Sequence, residues 1–310
     1  MTIPSTRTNE NGHITIDLEA CCGCGLCVSG CSDGSLLLQN GKAAVSDRPI
    51  FGCFACGQCM AVCPNEAITV SGRALSPADI FPLPARESGA DHTRLLALML
   101  RRRSVRQFTD TPVSEEDIEK IVAAAQTAPM GIPPSEVRLL IVAGRENVRR
   151  FSDDAYAIMK QNAWLTSSWA LALLRPLLGK EKYATFRHFI KPLIDAYREQ
   201  REKGIDGILY DAPLALYFYG SPYSDSDQMI AATYAMLAGE SLGLGTCMIG
   251  AVHPFLQIGE AGARIRKKYG ITYKSRDGLV VIFGHAKSSY RKSIHRTFAH
   301  VHRAESPVGP

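Results

Sequence analysis

The chain has 310 residues, 46% of them hydrophobic, and 35 Lys and Arg against 30 Asp and Glu give a formal net charge of +5. That length suffices for one small domain and one core-bearing domain of ordinary size. Met1 to Asn11 is polar with no apolar signal core, and the apolar stretch Trp169 to Leu178 is broken by Arg175 and Pro176, well short of the roughly 20 residues that span a membrane. The expectation is a cytoplasmic protein with no membrane partner.

In chain order, His13 to Leu18 alternates apolar and polar residues as a short strand. It leads into Cys21, Cys24, Cys27 and Cys31, spaced C-x2-C-x2-C-x3-C, and Cys53, Cys56, Cys59 and Cys63 repeat that spacing and end in Pro64. This run is the signature of a bacterial two-cluster ferredoxin, in which the fourth thiolate of each [4Fe–4S] cube comes from the other run. One cluster is assigned to Cys21, Cys24, Cys27 and Cys63, the other to Cys53, Cys56, Cys59 and Cys31. Small residues such as Gly23, Gly25 and Gly57 let the backbone turn tightly between the ligands. Zinc sites pair two CxxC units rather than adding further cysteines in step, and disulfides belong to secreted chains. Ser32 stands where a proline usually follows the first run. Cys22 is an extra thiol, a bystander or a one-residue alternative to Cys21, and Cys247 sits in an apolar context as a core thiol. Each oxidised cube with its thiolates carries a charge of about −2, so two offset roughly four positive charges. The loaded protein is then near neutral, which argues against a nucleic-acid partner, and Arg101-Arg102-Arg103 is too short for a basic tract.

Ala67 to Val70 mirrors the first strand and closes this module, residues 1–75. Pro77, Pro82 and Pro84 mark residues 76–92 as a linker. Residues 93–310 form the second domain. A helix runs from Thr93 to about Arg102; the next is capped by Ser114, with Asp117 at the reciprocal position and Ile118, Ile121, Val122 and Ala125 on one face, and Pro129 ends it. Val137–Val142, Ala212–Tyr219, Thr246–Ile249 and Leu279–Phe283 read as buried strands, and Gln228–Leu242 as an Ala-rich buried helix. Helices interleaved with short strands give an α+β or α/β core. Residues 151–207 are helical and amphipathic, with Trp164, Trp169, Phe186 and Phe189, either a helical excursion packed on the core or a lid over a redox site.

Arg102, Arg103, Ser104 and Arg106 lie on one turn that ends at Phe108, and three guanidinium groups with a hydroxyl suit a phosphate and a polyol chain. Downstream come the rigid turn Thr127 to Pro134, the segment Gly243 to Gly250, and the basic Tyr290-Arg291-Lys292. Taken in this order over roughly residues 95 to 300, the four segments resemble the FMN-binding nitroreductase family, and the whole chain resembles a ferredoxin–nitroreductase fusion. The resemblance implies an α+β sandwich behind the ferredoxin module, usually a homodimer with FMN at the subunit interface. It places Arg102, Arg103, Ser104 and Arg106 on the FMN phosphate and ribityl chain, with Arg291 or Lys292 added to the phosphate clamp. It sets Pro129, Met130, Gly131, Ile132 and Pro133 on one side of the isoalloxazine ring, and Met248, Ile249, Gly250 and Ala251 on the other. Many members carry Ser after the Ala-Pro, then Asn and Gln-Pro-Trp. Met130, Pro133 and Ser135-Glu136-Val137 stand there instead, so backbone amides must serve the ring. Gly243-Leu244-Gly245 follows a helix and precedes a strand, the reverse of a Rossmann fingerprint.

The expected activity is an oxidoreductase that takes electrons from a low-potential donor such as ferredoxin through two clusters, and reduces a nitro compound, quinone or activated alkene at FMN N5. No acid–base pair is required of the protein. The alternatives are a reductive dehalogenase-type flavoenzyme, or an electron-transfer or redox-sensing protein acting on another protein.

Overall fold

The computed structural model describes residues 10–131, 133, 135–220, 226–272 and 274–303. Near the N-terminus β1 (His13–Ile16) pairs antiparallel with β4 (Ile68–Ser71), Ile14 opposite Val70. The two cysteine runs lie between these strands and fold alike. Each ends in a short helix, α1 (Leu26–Ser29) and α2 (Gln58–Val62), entered through a left-handed glycine, Gly25 at φ 74° and Gly57 at φ 75°. Side chains are strained there, so glycine before the third cysteine of each run is a backbone requirement. A hairpin of β2 (Leu36–Gln39) and β3 (Lys42–Val45) covers the first run and turns at Asn40-Gly41, with φ 51° and 75°. Asn-Gly is the turn a two-residue hairpin wants, a signal absent from the elements predicted above. Leu36, Ala43, Ala67 and Ile68 form a small core around Cys21 and Cys27. Residues 76–91 hold only two 3-10 turns, Pro77–Asp79 and Arg86–Ser88, and Phe81 and Leu83 stand 76% and 92% exposed, so this stretch contributes no core.

Beyond it come α3 (His92–Arg101) and α4 (Glu115–Gln126), the latter capped by Ser114, whose hydroxyl accepts from the Asp117 amide at 3.1 Å. Four antiparallel strands, β5 (Arg138–Ala143), β6 (Leu214–Tyr219), β7 (Gly245–Ile249) and β8 (Gly278–Gly284), form a sheet in the order β5-β6-β8-β7. On β6, Ala215, Tyr217 and Tyr219 face one core, and Leu214, Leu216 and Phe218 the other. This period of two on a sheet covered on both faces explains why β6 and β8 read as unbroken apolar runs. One face packs against α5 (Arg145–Asn162), α9 (Val252–Gln257) and α10 (Gly259–Lys268); the other packs against α4 and α8 (Asp227–Ser241). Cys247 is 1% exposed in the first of these cores, as its apolar context predicts.

The helical stretch expected at 151–207 opens within α5, which packs on the sheet. Val148, Phe151, Ala155 and Met159 of α5 belong to the core, because their spacing faces the sheet. After α5 come α6 (Ser168–Thr185), broken at Gly179 (φ 72°), a π turn at Phe186–Ile190, and α7 (Lys191–Glu202). Trp164 and Trp169 stack at 6.2 Å and are 56% and 64% exposed. Among the described residues no helix is long and apolar enough to cross a membrane.

Candidate functional site

The fold gathers the cysteines across the two runs. Cys21, Cys24, Cys27 and Cys63 line one pocket with Ile16 and Ala43, and the exposed Cys22 also borders it. Burial raises the Cys27 thiol above its ordinary value, and Cys63 and Cys21 lie near enough to raise it further. Burial likewise raises Cys53, beside Cys56 and Cys31, and pushes Cys59 up to about 11, beside Cys56, Cys53 and Cys31. Each group thus draws its odd member from the other run. The N–H groups of Ala43 and Gly23 hold Cys21 below its ordinary value. Ala67 donates to the Cys63 sulfur at 3.3 Å and Ala55 to that of Cys53 at 3.4 Å. Among the described residues no three His, Cys, Asp or Glu side chains close on a single-ion site. Cys21, Cys24, Cys27 and Cys63 instead surround a space, which suits a cube in which each thiolate binds its own iron.

The segment 102–106 is fixed by the sheet. Ser104 forms a parallel bridge with Thr246 on β7, and the Val105 amide donates to Thr246 O at 2.9 Å. Val105 packs so close to Gly245 that a Cβ there would lie 2.7 Å from its Cγ2. Among the described residues the buried Thr246 hydroxyl has no hydrogen-bond partner. Among the described residues none of Arg102, Arg103 and Arg106 forms an ion pair. Arg103 donates to Ser293 Oγ at 2.5 Å, and Tyr290 OH reaches Ser104 O at 3.5 Å, so the C-terminal stretch with the exposed Arg291 and Lys292 returns to this segment. Guanidinium groups that no carboxylate neutralises among the described residues fit an anionic ligand.

Arg106 lies over the Tyr210 ring, 5.7 Å from its centroid. Tyr210 and Asp211 take left-handed backbone angles, φ 58° and 49°, a conformation that side chains other than Gly rarely adopt. The buried Asp206 holds that turn by accepting from Ser152 Oγ at 2.5 Å and from the amides of Ile208, Leu209 and Asp211 at 3.1–3.3 Å. From α7, Tyr197 lies within electrostatic reach of Tyr210 and Arg106; burial pushes its phenol up to about 12. Burial also raises Tyr210. Part of the excursion therefore reaches the predicted phosphate-side cations.

On the other loop, Pro129 and Gly131 are exposed and Met130 and Pro133 half-buried; Ile132 lies outside the described residues. The Gly131 amide donates to the buried Asp227 carboxylate at 3.1 and 3.2 Å. It is thereby committed away from the ring-binding use that the missing Asn and Gln side chains suggested for this loop. A cavity of about 250 Å³ lies behind the loop, lined by Val122, Met130, Phe218 and Asp227 among others. Pro133 O accepts from Arg73 at 2.8 Å. Met248 stands 51% exposed at the end of β7, Ile249 is buried, and Gly250 and Ala251 turn into α9. Arg73, Tyr197, Asp206, Tyr210, Asp227 and Thr246 were not among the predicted site residues. Ser71-Gly72 before Arg73 and Asp206-Gly207 were turn signals that pointed at two of them, and Thr246 lies inside the singled-out segment Gly243 to Gly250.

Comparison with known proteins shows two family matches in this chain. The chain matches the Nitroreductase family over residues 99–285 and a 4Fe-4S dicluster domain over residues 13–64. It is 29% identical over 150 residues to the FMN reductase (NAD(P)H) of Bacillus subtilis strain 168, covering 48% of this chain and 51% of that protein. The chain spans about half the length of the curated relatives it matches. Among solved structures it is similar to a nitroreductase with bound FMN from Desulfitobacterium hafniense DCB-2, at 21% identity, over 67% of this chain and 98% of that one, with a TM-score of 0.48. Another such structure, from Bacteroides fragilis NCTC 9343, matches at 16% identity over 68% and 98%, with a TM-score of 0.49. The chain belongs to the Nitroreductase family and carries a 4Fe-4S dicluster ferredoxin domain ahead of it.

Proposed function

We propose that this protein is an FMN-dependent oxidoreductase that receives electrons through two [4Fe–4S] clusters and reduces a small organic acceptor, such as a nitro compound, quinone or activated alkene. The observation that carries the reading is the pairing of two thiol groups, each completed by the other run, with a ferredoxin-side arginine bonded to the 129–133 loop. Cys21, Cys24, Cys27 and Cys63 hold one cluster; Cys53, Cys56, Cys59 and Cys31 hold the other. Arg102, Arg103, Ser104 and Arg106 hold the FMN phosphate and ribityl chain, with Arg291 or Lys292 beside them. Pro129–Pro133 and Met248–Ala251 flank the ring. When bound, FMN supplies the conversion between single-electron carriers and hydride-type reduction of a substrate.

The chain's own residues then orient and screen. Arg106 would place a fixed positive charge on the phosphate side of the cofactor. Tyr197 and Tyr210 stay protonated at neutral pH, since burial raises both, and cover that side against water. Asp206 fixes the turn that presents Tyr210. A homodimer is supported by α3, whose Leu95, Leu96, Met99 and Leu100 are 40–46% exposed, and by the C-terminal stretch, where Phe298 and Val301 are 84% and 72% exposed. Exposed apolar side chains in such numbers mark interaction surfaces. The cytoplasm and a reduced ferredoxin-type donor complete the reading. The test is anaerobic turnover of nitro, quinone and activated-alkene substrates with reduced ferredoxin against NAD(P)H. Turnover with reduced ferredoxin is the expected result, and no turnover of any of the three classes with any donor refutes it.

A further inference from the structure

We infer that the ferredoxin module is docked with its second cysteine run toward the flavin-side loop, and that Arg73 is the positioning residue that fastens it there. The consequence for electron flow rests on the redox reading above; the docking itself does not. Arg73 sits in the tight turn after β4, where Gly72 and Leu75 exchange backbone hydrogen bonds at 3.0 and 2.9 Å. Its φ of 50° and that of Ala74, 67°, are left-handed, so the turn bears backbone strain to aim this side chain. Although it lies in a turn, Arg73 is only 6% exposed. Among the described residues its guanidinium makes these contacts: Nη1 donates to Glu10 O at 2.6 Å, Nη2 donates to Pro133 O at 2.8 Å, and Cζ lies over the Phe54 ring, 5.7 Å from the centroid.

Phe54 stands between Cys53 and Cys56. The Gly12 amide, two residues from Glu10, donates to Cys53 O at 2.7 Å. The second run, the segment leading into β1 and the loop at Pro133 therefore meet at one side chain. The first run is covered by its own β2–β3 hairpin, with Lys42 Nζ bonded to Cys21 O. Among the described residues no hydrogen bond joins that run or hairpin to any residue beyond the linker. Only a planar fork with several donors can span two carbonyls while stacking on a ring, and lysine cannot. The module thus has a direction: the cluster of Cys53, Cys56, Cys59 and Cys31 lies beside the flavin loop, and the other cluster is the outer one. Along this order an external low-potential donor would reduce the outer cluster by one electron, the outer cluster would reduce the inner one, and the inner one would reduce the flavin; two such electrons, with protons taken from solvent, would complete the flavin's reduction.

The experiment uses anaerobic full-length protein loaded with FMN and clusters, as wild type, Arg73→Gln, Arg73→Lys, Cys24→Ser and Cys56→Ser. Amide exchange at Met130 and Gly131 should speed up at least tenfold in both Arg73 variants. Potentiometric EPR should show the midpoint of a single cluster falling in Arg73→Gln, because a lost positive charge disfavours the reduced cube. That cluster should be the one whose signal Cys56→Ser alters. With reduced viologen as donor in stopped flow, Cys56→Ser should lose cluster-to-flavin transfer, whereas Cys24→Ser keeps it. Unchanged exchange at Met130 and Gly131, a shift confined to the first-run cluster, or the opposite pattern in the two cysteine variants overturns the inference. Arg73→Lys keeps the buried charge, and the cysteine pair leaves Arg73 intact, so a misfolded Arg73→Gln leaves the test standing. Absence of any cluster-to-flavin transfer in wild type defeats the redox reading, while the exchange measurement still decides the docking.

Discussion

Gly245→Ala probes the contact that positions the arginine segment. A Cβ at Gly245 would lie 2.7 Å from Val105 Cγ2 and 2.8 Å from both Cβ and Cγ1, where ordinary contact begins near 3.4 Å. Val105 cannot swing aside, because its side chain is stiff at χ1 and its amide is bonded to Thr246 O at 2.9 Å. The segment 102–106 must therefore lift off β7, at a cost of about 1–3 kcal/mol for overpacking. Displacing one charge-assisted contact to the FMN phosphate costs a further ~1.5–3 kcal/mol of binding, or roughly 10- to 100-fold in Kd. Urea unfolding of the apoprotein reads the first quantity, and flavin fluorescence titration reads the second. Val105→Ala in the Gly245→Ala background removes both Cγ atoms and should recover part of each loss. Wild-type stability together with wild-type FMN affinity in Gly245→Ala would refute the reasoning.

Arg106→Ala should weaken FMN binding by about 1.5–3 kcal/mol, and an unchanged Kd by titration contradicts its placement on the cofactor. Anaerobically purified protein should contain about eight iron and eight sulfide per chain. Cys63→Ser should disturb the EPR signal of the cluster held by the first run and leave the other intact; zinc, or half the iron, contradicts the ligand assignment. Burial lowers the pKa of His253, whose Nδ1 lies 2.8 Å from Tyr217 OH. The unfolded chain then binds more protons than the folded one below the ordinary value of 6.5, so stability is present above that pH and is lost as pH falls through the folded value. His253→Gln should flatten that acid limb in urea midpoints measured between pH 7 and 5, and an unaltered slope excludes His253 as its source.

Much of this was legible because it is local. Cysteine spacing is dictated by the cube, and the left-handed glycines stand beside the ligands they serve. The apolar runs of β6 and β8 follow from a sheet covered on both faces. The Ser114 cap lies three residues from its donor. What escaped is long-range or unspecific in type. Arg73 meets Pro133 sixty positions away, and Asp227 meets Gly131 ninety-six positions away, contacts that no window of sequence displays. Which part of residues 151–207 packs on the sheet was not readable, because α5 carries one amphipathic pattern and only the sheet's position decides what that face covers. The Asn40-Gly41 hairpin was readable by turn chemistry and lay hidden between two stronger signals.

The central claim is that electrons reach FMN through the iron–sulfur module. Stopped-flow reduction by a viologen under anaerobic conditions, followed at the flavin absorbance band, tests it most directly by comparing wild type with a Cys24→Ser/Cys56→Ser double variant that retains its FMN. Fast bleaching in wild type and bleaching slowed by at least tenfold in the variant is the predicted result. Equal rates would show that the clusters are bypassed and would contradict the account.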